Sequence, residues 1–143
     1  MSEANGAVGT RPNGGRFGVV ALALAVGTFA FVALVRVIVG IPKVSQSYYN
    51  AVLSLEERPI IWLLLGLVMI ASIIAILAAI VLGHIGLSRA KAAGTSSAAS
   101  GIALGIGYVL AVFWVVRIVN AVTNTAQFHG GFRMFIEYVG VWA

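Results

Sequence analysis

The sequence predicts an all-α membrane protein with three transmembrane helices, of which the second and third form a tight antiparallel hairpin. Of its 143 residues, 61% are hydrophobic and 9% are charged, whereas about a quarter of the residues of an ordinary soluble domain are charged. Three apolar runs each approach or exceed the ~20 residues that a helix needs to cross a bilayer. Because backbone groups in lipid must find their hydrogen bonds within their own segment, we expect these runs to be helices.

The first apolar run extends from Phe17 to Val35 and has one polar member, Thr28. It predicts a first span over about 17–39, preceded by a disordered tail over 1–16 that is rich in Gly, Ala and Asn. A basic flank before an apolar run is also typical of a secretory signal peptide. The run is longer than a usual signal segment, and no strong small-x-small cleavage site follows Arg36. We therefore favour a retained transmembrane helix.

The first loop, residues 41–59, predicts a short helix in the headgroup layer. Pro42 ends the preceding helix. Ser54 and Glu57 have capping-box spacing and suggest the start of the second span. Apolar residues follow a helical spacing that is typical of an interfacial amphipathic helix; they are Val44, Tyr48, Val52 and Leu55.

Small residues predict how the second span, about 60–88, packs against the third, about 98–124. Rows of small residues let transmembrane helices approach closely, which is what van der Waals contact in lipid requires. The second span carries such a row at spacings of four, and the third carries a shorter one. The predicted helix-packing residues are Ala71, Ala75, Ala79 and Gly83 on the second span and Gly101 and Gly105 on the third.

The hairpin also carries a particular motif. Its two arms read Ala79-Ile-Val-Leu-Gly-His-Ile-Gly-Leu-Ser88 and Ser100-Gly-Ile-Ala-Leu-Gly-Ile-Gly-Tyr108, on either side of a basic turn of small residues. Over about residues 60–115, the sequence resembles the bacterial, largely actinobacterial, membrane domain of unknown function family 4190. The resemblance implies a paired-helix membrane architecture and no particular activity. The turn departs from the family's pattern, because Ala, Thr and Ser replace some of its bases and glycines.

A polar stripe follows on the third span, where Arg117, Asn120 and Asn124 share one helix face. A turn centred near residue 95 would put Arg117 opposite Ile74, well inside the membrane, where an Arg costs about 2.5–3.5 kcal/mol. Arg117 could snorkel to the interface. Alternatively, the stripe could face a partner chain, an anionic lipid or a carboxylate of the bundle. Arg36 has a similar local sequence and is expected at the same leaflet as Arg117.

The C-terminal segment, 126–143, is predicted to be an interfacial aromatic segment, either an amphipathic helix or a docking surface. Arg133 and Glu137 stand four residues apart on its polar side. Its apolar side carries residues at helical spacing, of which Phe132, Phe135 and Trp142 are possible partner or lipid contacts; the full set is Phe128, Phe132, Phe135, Val139 and Trp142.

Residue types argue against catalysis. The chain has no Cys, which excludes thiolate chemistry and Cys-based metal sites. It has no paired carboxylates, no Ser-His-acid set and no phosphate-cradling loop. The two histidines, His84 and His129, are expected on opposite sides of the membrane, where they cannot easily share a metal. We expect no enzymatic activity, no cofactor, no small-molecule substrate and, because the bases are scattered, no nucleic-acid partner.

Together these features predict a small non-enzymatic integral membrane protein that acts by helix–helix association. We expect an accessory or scaffold subunit of a larger bacterial inner-membrane assembly, for example a respiratory or transport complex, with lipids and other membrane subunits as partners. The alternative is a homo-oligomeric pore, holin-like or transport component. Bases are almost evenly divided between the two sides. Discounting Arg36 and Arg117 as poor loop charges favours a cytoplasmic N-terminus.

Overall fold

The structure is a computed structural model that describes residues 14–53, 60–127 and 131–142. Every regular element in these ranges is helical, which confirms the predicted all-α class. The elements are α1 (Gly14–Val39), α2 (Pro42–Leu53), α3 (Ile60–Ala92), α4 (Ala98–Gln127), α5 (Phe132–Glu137) and a π-helical segment (Tyr138–Trp142) that continues α5.

Three helices in the described part of the chain are long and apolar enough to cross a membrane: Gly15–Val39, Ile60–Ala92 and Ala98–Thr123. Their ends differ from the prediction. Residues 14–16, predicted as the end of the tail, belong to α1. The helix α3 continues past residue 88, so Arg89 and Lys91 lie in its last turn, where the helix dipole favours positive charge.

The three long helices form one bundle, in which α1 packs against both arms of the α3–α4 hairpin. Buried positions recur at alternating spacings of three and four, the 3.5-residue period of a coiled-coil seam. Each helix therefore turns one narrow stripe inward and leaves most of its apolar surface facing outward. The seam residues are Gly18, Ala21, Ala25, Thr28, Val32, Val35 and Val39 on α1, Met69, Ser72, Ile76, Ala79, Gly83, Gly86 and Ala90 on α3, and Ser100, Ala103, Gly107, Leu110, Trp114, Arg117 and Ala121 on α4.

The bundle is packed with small residues at one end and large ones at the other. Near the α3–α4 turn, which we call the Ala92 end, a Cβ added to Gly86 would lie 2.6 Å from Ser100 Oγ and 2.9 Å from the backbone nitrogen of Gly18. The opposite end, which we call the Val39 end, has a core that includes Trp62 and Trp114. The helices therefore approach closely at the Ala92 end, and bulky side chains fill the space between them at the Val39 end.

A Schellman motif ends α3 and sets the hairpin register. Gly94 has a φ of +61°, and the Thr95 amide donates to the carbonyl of Ala90 at 2.9 Å, as this motif requires. This bond reverses the direction of the chain at the end of α3, just before α4 begins. A Cβ on Gly107 would lie 2.8 Å from Ile80 Cγ1. Gly107 therefore lies level with Ile80. Counting from this pair in opposite directions along the two helices places Arg117 level with about residue 70, about one turn from Ile74, the predicted neighbour.

The C-terminal segment folds back onto the bundle at the Val39 end, where α5 and the π-helical segment contact α3 and α4. We call residues 132–142 the C-terminal cap. Its predicted polar side is wrong at Glu137, which is fully buried, while Phe132 on the predicted apolar side is 78% exposed. The break from α- to π-helix shifts the angular position of later residues, which is one reason why a single helical period did not describe this segment.

The helix predicted in the first loop is present as α2, which begins at Pro42. Proline is tolerated in the first turn of a helix because the amide it lacks would have no partner within the helix there. The predicted capping pair, Ser54 and Glu57, lies outside the described residues.

Candidate functional site

Arg117 is a buried ionisable side chain at a seam position of α4, where every other seam residue is apolar or small. Only 2% of its surface is exposed. Its Nε donates a hydrogen bond to the main-chain oxygen of Val139 in the C-terminal cap, at 3.0 Å. The guanidinium carbon lies 5.2 Å from the ring centroid of Phe113 and 5.4 Å from that of Trp114. Both distances are typical of cation–π contacts.

Arg117 is only partly satisfied by these contacts. Its Nη1 and Nη2 atoms are buried and have no hydrogen-bond partner among the described residues. Unpaired buried polar atoms cost free energy, and the two aromatic rings offset part of that cost. Of the two alternatives for Arg117, snorkelling into water does not fit the structure, because the C-terminal cap covers this side chain.

Arg36 lies at the same end of the bundle, on α1. It follows the seam residue Val35 by one position and is exposed. Its guanidinium is close enough to that of Arg117 for the two positive charges to repel each other. The structure thus brings together the two arginines that the sequence predicted at one leaflet.

A groove of about 220 Å³ runs between α1 and α4 and has Arg36 in its lining. Its wall is apolar except for Arg36, and its rim residues Phe29 and Val109 are exposed. Phe113 lines the groove, and its ring also contacts the guanidinium of Arg117. The lining residues are Phe29, Val32, Ala33, Arg36, Val109, Leu110 and Phe113.

The C-terminal cap is held against α3 by contacts that the sequence analysis did not identify. A Cβ on Gly66 would lie 2.7 Å from the main-chain oxygen of Ile136, and one on Gly140 would overlap the backbone of Gly66. Within the cap, Arg133 Nε donates to the buried carboxylate of Glu137 at 2.9 Å. The only sequence signal for this docking is a single glycine in each partner.

The predicted helix-packing residues divide into two groups. Ala79 and Gly83 are buried, and a Cβ on Gly83 would lie 3.0 Å from the Leu104 side chain. Ala75 is half-buried and Ala71 is exposed. The seam repeats about every 3.5 residues, so residues spaced at four move progressively away from it along the helix. The prediction is wrong for Gly101 and Gly105 within this chain, since both are exposed with no atom within 4 Å of an added Cβ; Ser100, Ala103, Leu104 and Gly107 take the inward face instead.

The structure describes two of the remaining predicted contact residues on the bundle and the cap. Asn120 is exposed beside the seam, and Phe135 is half-buried against the core. The side chains of Asn124 and Trp142 lie outside what the structure describes, as does His129.

A polar pair that the sequence analysis did not join lies on the hairpin surface. His84 Nε2 and the Tyr108 hydroxyl are 2.8 Å apart, and both side chains are exposed. The sequence analysis missed Tyr108, because the hairpin register places it level with about residue 79 and only its long side chain reaches His84. In the described ranges, no group of three potential metal ligands comes together.

The fold and these sites define a multi-pass helical membrane protein with a buried arginine at one end and an outward-facing glycine pair on its third span. No protein-family model, curated protein or solved structure matches this chain. The resemblance to family 4190 therefore stays a prediction.

Proposed function

We propose that this protein acts by helix–helix association, and that the outward face of α4 contacts another membrane chain. The observation that carries the proposal is the position of Gly101 and Gly105, which stand four residues apart on the exposed surface of a span with open space beside both. A Gly-x-x-x-Gly pair in an apolar span is typical of a helix-contact face.

The internal contacts of the bundle support this interpretation. Gly86 lies against the backbone of Gly18, and Gly66 lies against the backbone of Ile136. The glycine pair of α4 has no such role within the chain, although lipid gives a glycine at the surface no packing advantage over a larger apolar residue. The same face continues with a flat row of β-branched residues, namely Val112, Val115, Val116 and Val119, all exposed.

We propose that the contacting chain is another subunit of a larger bacterial inner-membrane assembly, in which this protein is an accessory or scaffold component with no enzymatic role. From the distribution of basic residues, we also propose that its N-terminus lies in the cytoplasm. Close packing against the glycine pair requires a partner helix with a complementary surface, and van der Waals contact would supply most of the affinity.

The mass of the protein purified from native membranes in mild detergent tests this proposal. We expect other subunits to co-purify with the wild type and to be lost from Gly101→Ile and Gly105→Ile, because a branched side chain fills the space that the partner occupies. Gly27→Ile is the matched control, since Gly27 is exposed on α1 with open space beside it. A bare monomer would contradict the proposal, and a closed homo-oligomer would favour the pore alternative.

A further inference from the structure

We propose that the groove between α1 and α4 binds one phospholipid, with an acyl chain along its apolar wall and an anionic headgroup phosphate beside Arg36 and the buried charge of Arg117. This inference goes beyond the proposed association, because it concerns a different face of the bundle and a different ligand. The geometry points to it in three steps.

The first step is the shape and chemistry of the groove. Its lining is apolar along its length, from Phe29 and Val109 to Phe113, and its polar member, Arg36, lies at the Val39 end. An acyl chain with a charged headgroup has this same order of apolar and polar parts. A volume of about 220 Å³ accommodates part of one chain, while the exposed rim leaves the remainder in the bilayer.

The second step is the presence of two like charges at one end of the groove. Arg36 and Arg117 repel each other, and an anion beside Arg36 would offset that repulsion. In low dielectric, two unit charges a few ångströms apart interact much more strongly than they do in water. A phosphate with net negative charge is therefore favoured over a zwitterionic headgroup.

The third step is the incomplete pairing of Arg117. Its Nη1 and Nη2 atoms are buried without a hydrogen-bond partner in the described part of the chain, so its charge is not neutralised by a bonded carboxylate. Phe113, which lines the groove, also contacts this guanidinium, with 5.2 Å between the guanidinium carbon and the ring centroid. Arg117 thus raises the positive potential at the place where the headgroup would lie.

Native mass spectrometry of the monomeric chain tests the site, with phosphatidylglycerol and phosphatidylcholine of identical acyl chains as probes. The chain carries Gly101→Ile and Gly105→Ile, so that association through α4 does not affect the result. We expect one molecule of phosphatidylglycerol to be retained in preference to phosphatidylcholine. Arg36→Gln should lower phosphatidylglycerol binding about fivefold, the effect of one basic residue at an anionic surface. Lys43→Gln removes the same charge outside the groove and should change binding less than twofold.

A second pair of variants tests the groove without altering its charge. Ala33 lines the groove, so Ala33→Phe should block the acyl chain and lower phosphatidylglycerol binding at least as much as Arg36→Gln does. Ala30 is exposed on the same helix outside the groove lining, so Ala30→Phe should bind as the wild type does.

Equal binding of both lipids by all variants would overturn the proposal. So would equal binding by Ala33→Phe and Ala30→Phe, or an Arg36-dependent protein subunit in place of the lipid. Because the monomer lacks the glycine pair, a negative result here leaves the proposed association unaffected.

Discussion

The side chain of Arg117 is bonded to the main chain of Val139, with 3.0 Å between Nε and the carbonyl oxygen. This bond joins the third span to the C-terminal cap, 22 residues further along the chain. Because the donor carries a charge and both groups are buried, the bond is of the stronger kind. The buried arginine therefore has a structural role at the Val39 end, whatever ligand its remaining nitrogens meet.

Replacing Arg117 with Leu should loosen the C-terminal cap without unfolding the bundle. Loss of a hydrogen bond to a charged group costs ~1.5–3 kcal/mol, so amides of residues 134–140 should exchange hydrogen at least tenfold faster. The bundle itself loses an unpaired buried charge, a change that is often neutral or stabilising. Hydrogen–deuterium exchange in nanodiscs measures both effects. Arg36→Leu is the control, and unchanged protection of the cap in Arg117→Leu would contradict the assigned role.

The contact between Gly140 and Gly66 makes a second test of the cap. An added Cβ at Gly140 would overlap the Gly66 backbone, so Gly140→Ala should displace the π-helical segment. Overpacking of this kind costs typically 1–3 kcal/mol. Gly131→Ala is the matched substitution, because Gly131 has open space beside it. Protease cleavage after Arg133 should be faster in the first variant than in the second, and equal rates would show that the cap does not dock as described.

Close packing at the Ala92 end predicts a difference between two glycines of the hairpin. Gly86→Ala brings a Cβ to 2.9 Å from the backbone nitrogen of Gly18 and should destabilise the bundle by about 1–3 kcal/mol. Gly101→Ala faces open space and should leave the stability of the monomer unchanged. Steric trapping in bicelles gives both free energies of unfolding. The seam assignment fails if Gly101→Ala is the more destabilising change.

The hydrogen bond between His84 and Tyr108 should be weak, because both side chains are exposed. Hydrogen bonds between membrane helices measured by double-mutant cycles average ~0.6 kcal/mol. A cycle with His84→Ala, Tyr108→Phe and the double variant should therefore give a coupling free energy near that value. A coupling above ~2 kcal/mol would indicate a buried polar cluster, which the structure does not show for this pair.

The number and approximate extent of the spans could be predicted because length and hydropathy decide whether a segment enters a bilayer. Hydropathy could not predict which face of each span points inward, because lipid is as apolar as a protein core and both faces are therefore apolar. Gly101 and Gly107 illustrate this, because both are glycines of one apolar helix and only Gly107 faces the bundle. The burial of Glu137 was missed for a different reason: a contact with a distant element determines it.

The central claim is that the outward face of α4 is a contact surface for another chain. Photo-crosslinking in native membranes tests it most directly, with a photoreactive amino acid at Val112 on the face of the glycine pair and, as control, at Val26 on the outward face of α1. We predict one discrete protein adduct from Val112, abolished by Gly105→Ile, and only lipid adducts from Val26. Lipid adducts alone from both positions would contradict the claim.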